Sequence, residues 1–560
     1  MNVAEGLVAV LERYGVRHLF GIPGDSINYL MDALSKSTTL HFVHVAHEES
    51  GAFAASGQGK YGARLSACMG TSGPGAIHLL NGLYDAQKDG AAVVAITGQL
   101  ETSSLGLKSH QEVNTIKLFD DVAVYNQTIW DADSALRIMD QACREAISKK
   151  GVAHVSLPLN VASQKIPSKA LLEEPLYFPA TLSPALDAVE RAREMIQQAK
   201  RPLVLAGLGC LPAREELLSF VQKIKAPVIK TLKAKALLPD EHDFSLGGLG
   251  LLGVRPAVSA MEDCDLLLML GTDFPYSNFL NEKVKTIQVD QNVAALGRRK
   301  GVDLAIQGSC ADFLREMNKE NYDVPADFLE SKRNYMKASL RLMDHIDLNF
   351  EKEIKPQNLM RLLGQQAPAD AVFCCDTGSL TSYFAKSLRV RENQEVYLSG
   401  NLATMAFSVS AALGIQLLAP QRSVIALTGD GSMNMLAGEL STVKRLQLPL
   451  KIVIMNNSRL HLIDFEENVN GLPQYGTDLV NPDYEILGKA YGIAAKSVSK
   501  PEDLERELAR ALAFEGPYLL DVKVNPEQML IPPKITFEEA YGFSIAKMKE
   551  LWEEVKQSFA

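Results

Sequence analysis

Short apolar runs recur along the chain, and each breaks at a cluster of glycine, proline or small polar residues. Residues 40–46, 66–69, 91–97, 201–206, 266–270, 286–290, 371–375, 423–428 and 452–455 have the length and composition of strands. Between them, residues 4–14, 27–34, 51–61, 76–86, 187–198 and 436–446 carry apolar side chains at helical spacing. Such alternation predicts an α/β fold of doubly wound parallel sheets, because parallel strands need a crossover helix between them. Prolines at 167, 175, 179 and 184 mark residues 165–184 as a linker, and 319–349 reads as a charged helical linker. The expected division is an N-terminal domain over 1–165, a central one over 185–320, a C-terminal one over 350–530 and a tail over 531–560. Within the tail, residues 544–559 read as a mildly amphipathic helix.

The balance of 57 basic against 67 acidic residues, a net charge of −10, argues against nucleic-acid binding. No apolar run approaches the roughly 18–20 residues of a membrane span, and the N-terminus does not resemble a signal peptide. Seven scattered cysteines without a C-x-x-C pair suit reduced thiols. Together these features predict a cytoplasmic protein.

The chemistry concentrates at the two strands flanking residues 436–446. One feeds Gly429-Asp430-Gly431-Ser432 and the other feeds Asn456-Asn457. Parallel pairing brings both strand ends to one sheet edge, where ligands bind. Asp-Gly alone is a common turn pair. A carboxylate and an amide at adjacent strand ends instead suit Mg²⁺, a hard ion that shares its shell with phosphate oxygens. Flanking glycines let backbone N–H groups approach those phosphates.

Gly-Asp-Gly followed at this distance by Asn-Asn resembles the cofactor signature of thiamine diphosphate (ThDP) enzymes. The resemblance implies side-chain Mg²⁺ ligands at Asp430 and Asn457, with the carbonyl of Arg459 as a third. It places Gly429, Gly431 and Ser432, and the turn Asp376-Thr377-Gly378-Ser379, around the diphosphate. Met405 would wedge between the two cofactor rings. Glu48 opens an Ala/Gly-rich helix, where a carboxylate also suits the helix dipole. The family pattern "His-Glu" assigns Glu48, rather than Glu49, to N1′ of the aminopyrimidine.

Residues 21–28 (with Gly24), 71–78 and 81–86, and 531–535 and 540–544 in the tail, look like the pyruvate oxidase branch. That branch brings His78 to the cofactor, points Gln111 at the substrate and makes Glu466 catalytic. It also implies FAD in the central domain, near Gly207, Gly209, Gly250, Thr272, Phe274 and Asp290. No G-x-G-x-x-G follows Gly207, so NAD is not supported. Several positions depart from the branch. His110 replaces an aromatic residue, as in catabolic acetolactate synthases; His461 replaces a glycine, and Leu462 an aromatic. Gln291-Asn292 and Gly308-Ser309 alter flavin-contact positions.

Two activities follow from the resemblance. One is FAD-dependent oxidative decarboxylation of pyruvate to CO₂ and acetate or acetyl phosphate. The other is acetolactate synthase-type carboligation of two 2-keto acids, with or without a structural FAD. A scaffold role disagrees with the intact Glu48, Asp430 and Asn457. In this family the cofactor bridges two subunits, which implies a homodimer at least and a tetramer as the expected assembly. Membrane or quinone contact is not indicated.

Overall fold

The computed structural model describes residues 1–167, 180–350, 352–528, 533, 545 and 546. Most of the tail helix expected over 544–559 and most of the proline-rich linker therefore lie outside the described residues. Among the described residues, eighteen strands build three six-stranded sheets, and every pairing within them is parallel.

The first sheet contains β1 (His18–Gly21), β2 (His41–His44), β3 (Ser66–Gly70), β4 (Val93–Gln99), β5 (Ala123–Thr128) and β6 (Val152–Pro158). The second contains β7 (Pro202–Ala206), β8 (Val228–Lys230), β9 (Ser245–Gly248), β10 (Leu266–Leu270), β11 (Lys285–Asp290) and β12 (Leu304–Gln307). The third contains β13 (Val372–Cys375), β14 (Glu395–Leu398), β15 (Val424–Gly429), β16 (Lys451–Asn456), β17 (Ala494–Val498) and β18 (Tyr518–Lys523).

The first and third sheets share one strand order, β2-β1-β3-β4-β6-β5 matching β14-β13-β15-β16-β18-β17. The central order, β12-β11-β10-β7-β8-β9, is the one that characterises dinucleotide-binding folds when its strands are counted from β7. The inner strands are largely apolar and buried, as expected where helices cover both faces.

The outer domains share a core. The helix Glu48–Lys60 is buried over almost its whole length and packs on the helix Phe407–Leu418. Small residues allow this approach: a Cβ on Gly414 would stand 2.3 Å from the Ala54 carbonyl oxygen, and one on Gly57 2.8 Å from Ala411 Cα. Gln58 Nε2 adds a hydrogen bond to Gly414 O at 2.8 Å. The central sheet has separate cores on its two faces.

Two predicted helices are divided. Residues 76–86 belong to Pro74–His78 and Leu80–Asp89, which meet at Leu79. Residues 436–446 fall into a 3₁₀ turn, Ala437–Glu439, and a helix, Leu440–Arg445, preceded by a helical turn from Asp430 to Met435. The break at Leu436 accompanies a tertiary contact, in which buried Glu439 accepts the Ala46 N–H at 3.1 Å. Among the described residues, no helix is long and apolar enough to cross a membrane.

Candidate active site

Most site residues expected from the sequence lie in a turn or helix that follows the carboxyl end of a strand, and Gly429 and Asp290 are the last residues of β15 and β11. Gly24 follows β1, Glu48 follows β2, His78 lies beyond β3, and His110 and Gln111 lie beyond β4. In the third sheet, Asp376–Ser379 follow β13, Met405 follows β14, Asp430 follows β15, and Asn457, Arg459 and Glu466 follow β16.

Glu48 is the first residue of its helix and is 6% exposed. Its Oε2 lies 3.0 Å from His78 Nδ1, and the His47 and His78 rings stand 4.4 Å apart. The turn is crowded, since a Cβ on Gly75 would come within 3.1 Å of Glu48 Oε1. A Cβ on Gly24 would stand 2.3 Å from Thr71 Oγ1. His47, Glu48 and His78 converge closely enough to suggest a metal site. However, His47 Nδ1 accepts the Glu49 N–H at 3.2 Å, which leaves the neutral ring's proton on Nε2. Neither nitrogen of that ring is then a free ligand. Gln111 adopts a left-handed backbone (φ 62°) and its Oε1 accepts from Ser72 Oγ at 3.2 Å, while His110 beside it is exposed.

Asp430 is 2% exposed, and burial raises its carboxyl pKa. Its oxygens accept from Gly431 N at 3.1 Å, Ser458 N at 2.7 Å and Asn481 Nδ2 at 2.7 Å. All of these donors are neutral, so the buried charge has room for a cation. The two asparagines at the end of β16 differ in role. Asn456 is consumed internally, donating to Asp521 Oδ1 at 2.9 Å and accepting from Asn481 at 3.2 Å. Asn457 Oδ1 accepts the Arg459 N–H at 3.1 Å. The Arg459 guanidinium pairs with Glu527 at 2.8 Å and Asp478 at 3.4 Å.

Space for a ligand lies beside these groups. Among the described residues, nothing would stand within 4 Å of a Cβ on Gly429 or on Gly378 (φ 133°). The buried Ser432 hydroxyl has no hydrogen-bond partner. This donor set and open cradle fit a metal–diphosphate. Thr377 and Ser379 flank Gly378 in the same turn. Asp376, in contrast, is saturated within the protein. Its carboxylate accepts from Phe407 N (2.8 Å), Ser408 N (3.3 Å), Ser408 Oγ (2.8 Å) and Thr428 Oγ1 (2.9 Å). It thus ties the turn after β13 to the start of the Phe407–Leu418 helix.

Met405 is bracketed by left-handed Ala403 (φ 57°) and Ala406 (φ 67°), and Ser458 after Asn457 has φ 56°. Non-glycine residues persist in such conformations where the surrounding structure enforces them, often at functional sites. The Met405 methyl faces Gly431, 3.1 Å from where a Cβ would be. Asn81 Nδ2 joins the domains by donating to Glu49 Oε1 (2.6 Å) and Thr404 Oγ1 (3.1 Å). Glu466 is exposed on the helix His461–Val469. Burial lowers the His461 pKa, and buried Asp464 on the same helix has no hydrogen-bond partner on either oxygen.

In the central domain, packing alone accounts for two glycines. A Cβ on Gly207 would lie 2.4 Å from Gly271 O, and one on Gly209 2.7 Å from Gly271 Cα. Gly250 has φ 94° and faces Tyr276 and Phe274. Thr272 and Phe274 are buried, and burial raises the pKa of Asp290 at the end of β11. Sequence reasoning missed Asn434, Glu439, Asn481 and Tyr484. Asn481-Pro482-Asp483 has the composition of a plain turn, and the contacts of all four are long-range.

The matches to known proteins agree with this geometry. Family models for thiamine pyrophosphate enzymes match in three parts: the N-terminal TPP binding domain at residues 1–118, the central domain at 189–317 and the C-terminal TPP binding domain at 376–522. The chain belongs to the thiamine pyrophosphate (ThDP) enzyme family. It is 37% identical over 565 residues to a putative thiamine pyrophosphate-containing protein, YdaP, of Bacillus subtilis, covering 99% of this chain and 97% of that protein. It is 30% identical over 554 residues to pyruvate oxidase of Lactiplantibacillus plantarum, covering 96% and 91%. Acetolactate synthase isozyme 2 large subunit of Escherichia coli is also 30% identical over 554 residues, covering 95% and 98%.

Proposed function

We propose that this ThDP enzyme oxidatively decarboxylates pyruvate, with Mg²⁺ anchoring the cofactor and FAD in the central domain as electron acceptor. CO₂ and acetate or acetyl phosphate would be the products. The observation that carries the reading is the buried Asp430 carboxylate, bonded only to neutral donors beside open space at Gly429 and Gly378.

Asp430, Asn457 and the Arg459 carbonyl hold Mg²⁺ in this reading. Gly429, Gly431, Ser432, Thr377, Gly378 and Ser379 line the diphosphate, while Asp376 fixes their turn from behind. When bound, ThDP supplies an electron sink for the carbon that loses CO₂. Glu48 holds and returns a proton at the aminopyrimidine, and His78 orients its carboxylate. Met405 supports the cofactor from the strained turn between Ala403 and Ala406. Gln111, His110 and Glu466 face the 2-keto acid and manage its protons. Gly250, Thr272, Phe274 and Asp290 are the central residues that would hold the flavin, at the edge where this strand order binds dinucleotides. Because the cofactor is held by two domains of this family's type, a homodimer is the smallest functional assembly and a tetramer the expected one.

A second reading, acetolactate synthase-type carboligation, is favoured by His110, His461 and the altered flavin-contact positions Gln291-Asn292 and Gly308-Ser309. Acetolactate synthases also match at the same identity as pyruvate oxidase. The deciding experiment is the anaerobic visible spectrum of the purified protein before and after pyruvate, ThDP and Mg²⁺. A flavin band that bleaches establishes the oxidase. A persistent band, or none, with acetolactate accumulating establishes the carboligase and overturns the first reading.

A further inference from the structure

Of the donors that reach Asp430, two are backbone N–H groups close to the strand ends, and the third is the side chain of Asn481. Its Nδ2 meets Asp430 Oδ2 at 2.7 Å and also faces Asn456 Oδ1 at 3.2 Å and Ser458 Oγ at 3.4 Å. Its Oδ1 accepts from Asn434 Nδ2 at 2.8 Å and faces the Tyr484 hydroxyl at 3.3 Å. The Nδ2 contacts to Asp430 and Asn456 are to acceptors, and the Asn434 contact to Oδ1 is from a donor. The network therefore fixes which way the amide points.

The same short segment holds the aspartate's backbone. Tyr484, fully buried, places its hydroxyl 3.1 Å from the Asp430 carbonyl and 2.9 Å from Asn434 Oδ1. Asp483 anchors the segment by capping the helix Tyr484–Ala490, accepting the Ile486 N–H at 3.0 Å. Side chain and main chain of Asp430 are thus both pinned by residues 481–484, across a long loop. Groups that orient a metal-binding carboxylate govern how well it binds, and removing one typically costs about 10–100-fold in metal affinity.

We propose that Asn481 is the positioning residue of the metal aspartate and sets the affinity of this site for its divalent cation. The inference rests on the assignment of Asp430 as a Mg²⁺ ligand. Mn²⁺, which shares the oxygen-ligand preference of Mg²⁺, is the probe. Binding is followed by electron paramagnetic resonance of free Mn²⁺ at fixed ThDP, for wild type, Asn481→Leu, Asn481→Ser and Asp430→Asn. Leucine keeps the volume and removes the donor; serine keeps a hydroxyl that can donate. Expected is a loss of about 10–100-fold for Asn481→Leu, a smaller loss for Asn481→Ser and near-complete loss for Asp430→Asn. In turnover, the half-saturating Mg²⁺ concentration should rise by a larger factor than kcat falls, a split that general destabilisation would not produce.

Wild-type Mn²⁺ affinity in both Asn481 variants, with binding lost in Asp430→Asn, would overturn the role of Asn481 alone. Undiminished binding in Asp430→Asn would overturn the metal assignment and the inference built on it. Should Asn481→Leu not fold, the less disruptive Asn481→Ser carries the same comparison, with unchanged affinity again counting against the proposal.

Discussion

The first and third domains are built on one strand order, yet their turns present different groups. In the first, the turn after the second strand presents an acid, Glu48, paired with His78. In the third, the corresponding turn presents Met405 from a strained loop, and the charged group has moved to the turn after the third strand, as Asp430. The helices that follow those second strands also begin differently. His47 caps Glu48–Lys60 from an extended backbone (φ −151°), whereas Ala406 caps Phe407–Leu418 from a left-handed one (φ 67°). Strand order fixes where a ligand can lie, and the turn residues decide what is done to it.

The division of labour is broken most directly at Asp430. Asp430→Asn should abolish Mg²⁺-dependent turnover and the rise in melting temperature that Mg²⁺ with ThDP gives the wild type, the latter followed by differential scanning fluorimetry. Full retention of both would mean that the third domain does not hold the metal. At Glu48 the loss should be large but incomplete. Glu48→Gln keeps the shape and removes the exchangeable charge, so kcat should fall about 10²–10⁴-fold, the usual worth of a general acid–base. Mg²⁺ affinity should stay within a few-fold of wild type, because the proposed metal ligands stand on the other domain. A Glu48 variant that turned over normally while binding cofactor would remove the acid from the mechanism.

This contrast was partly legible in the residues. The α/β class, the strand ends and the grouping of Asp430 with Asn456-Asn457 follow from apolar runs that break at glycine and asparagine. The choice of Asn457 over Asn456 rests on the family resemblance; in the structure Asn456 is tied to Asp521 and Asn481, and Asn457 accepts the Arg459 N–H. Strands such as β8, of three residues, and β17, half-buried along most of its length, are too short or too mixed in polarity to stand out. Asp376 shows a different limit. Its place beyond a strand suggested a ligand contact, but four internal donors occupy it. No local pattern reports partners at residues 407, 408 and 428. The same holds for Asn481, whose turn-like surroundings hide a contact to a residue 51 positions away.

Asp376 offers a smaller, thermodynamic test of the comparison. Its counterpart beyond the first strand of the first domain, Asp25, is exposed, whereas Asp376 is 1% exposed and burial lifts its carboxyl to about 6. A folded-state value above the unfolded one means that protonation favours folding. Its stabilising contribution is complete below the unfolded value near 4 and is lost as pH rises through about 6, a change of roughly 3 kcal/mol. Asn is isosteric and does not titrate, and the Ser408 and Thr428 hydroxyls can turn to accept from its amide. Asp376→Asn should therefore gain on the wild type by about that amount between pH 4 and 6 in urea unfolding. Parallel pH profiles would show that the carboxylate is fully compensated by its four donors.

The smallest effect is expected at the two helix starts, and there the signs should be opposite. At Ala406 the left-handed backbone costs about 1–2 kcal/mol for a residue with a Cβ, and glycine removes that cost while adding flexibility to the unfolded chain. Ala406→Gly should then stabilise the fold by about 0.5–1 kcal/mol, raising the melting temperature slightly, while loosening the turn that carries Met405 and raising the ThDP concentration needed for half-maximal activity. His47 is already extended, so glycine relieves nothing there. It removes the ring that accepts the Glu49 N–H and packs against His78, and should cost at least a few tenths of a kcal/mol. If both variants lost stability, the Ala406 conformation would be held by packing that glycine weakens. The left-handed backbone at Ala406 would then be no reservoir for positioning Met405, and the two helix starts would differ in geometry alone.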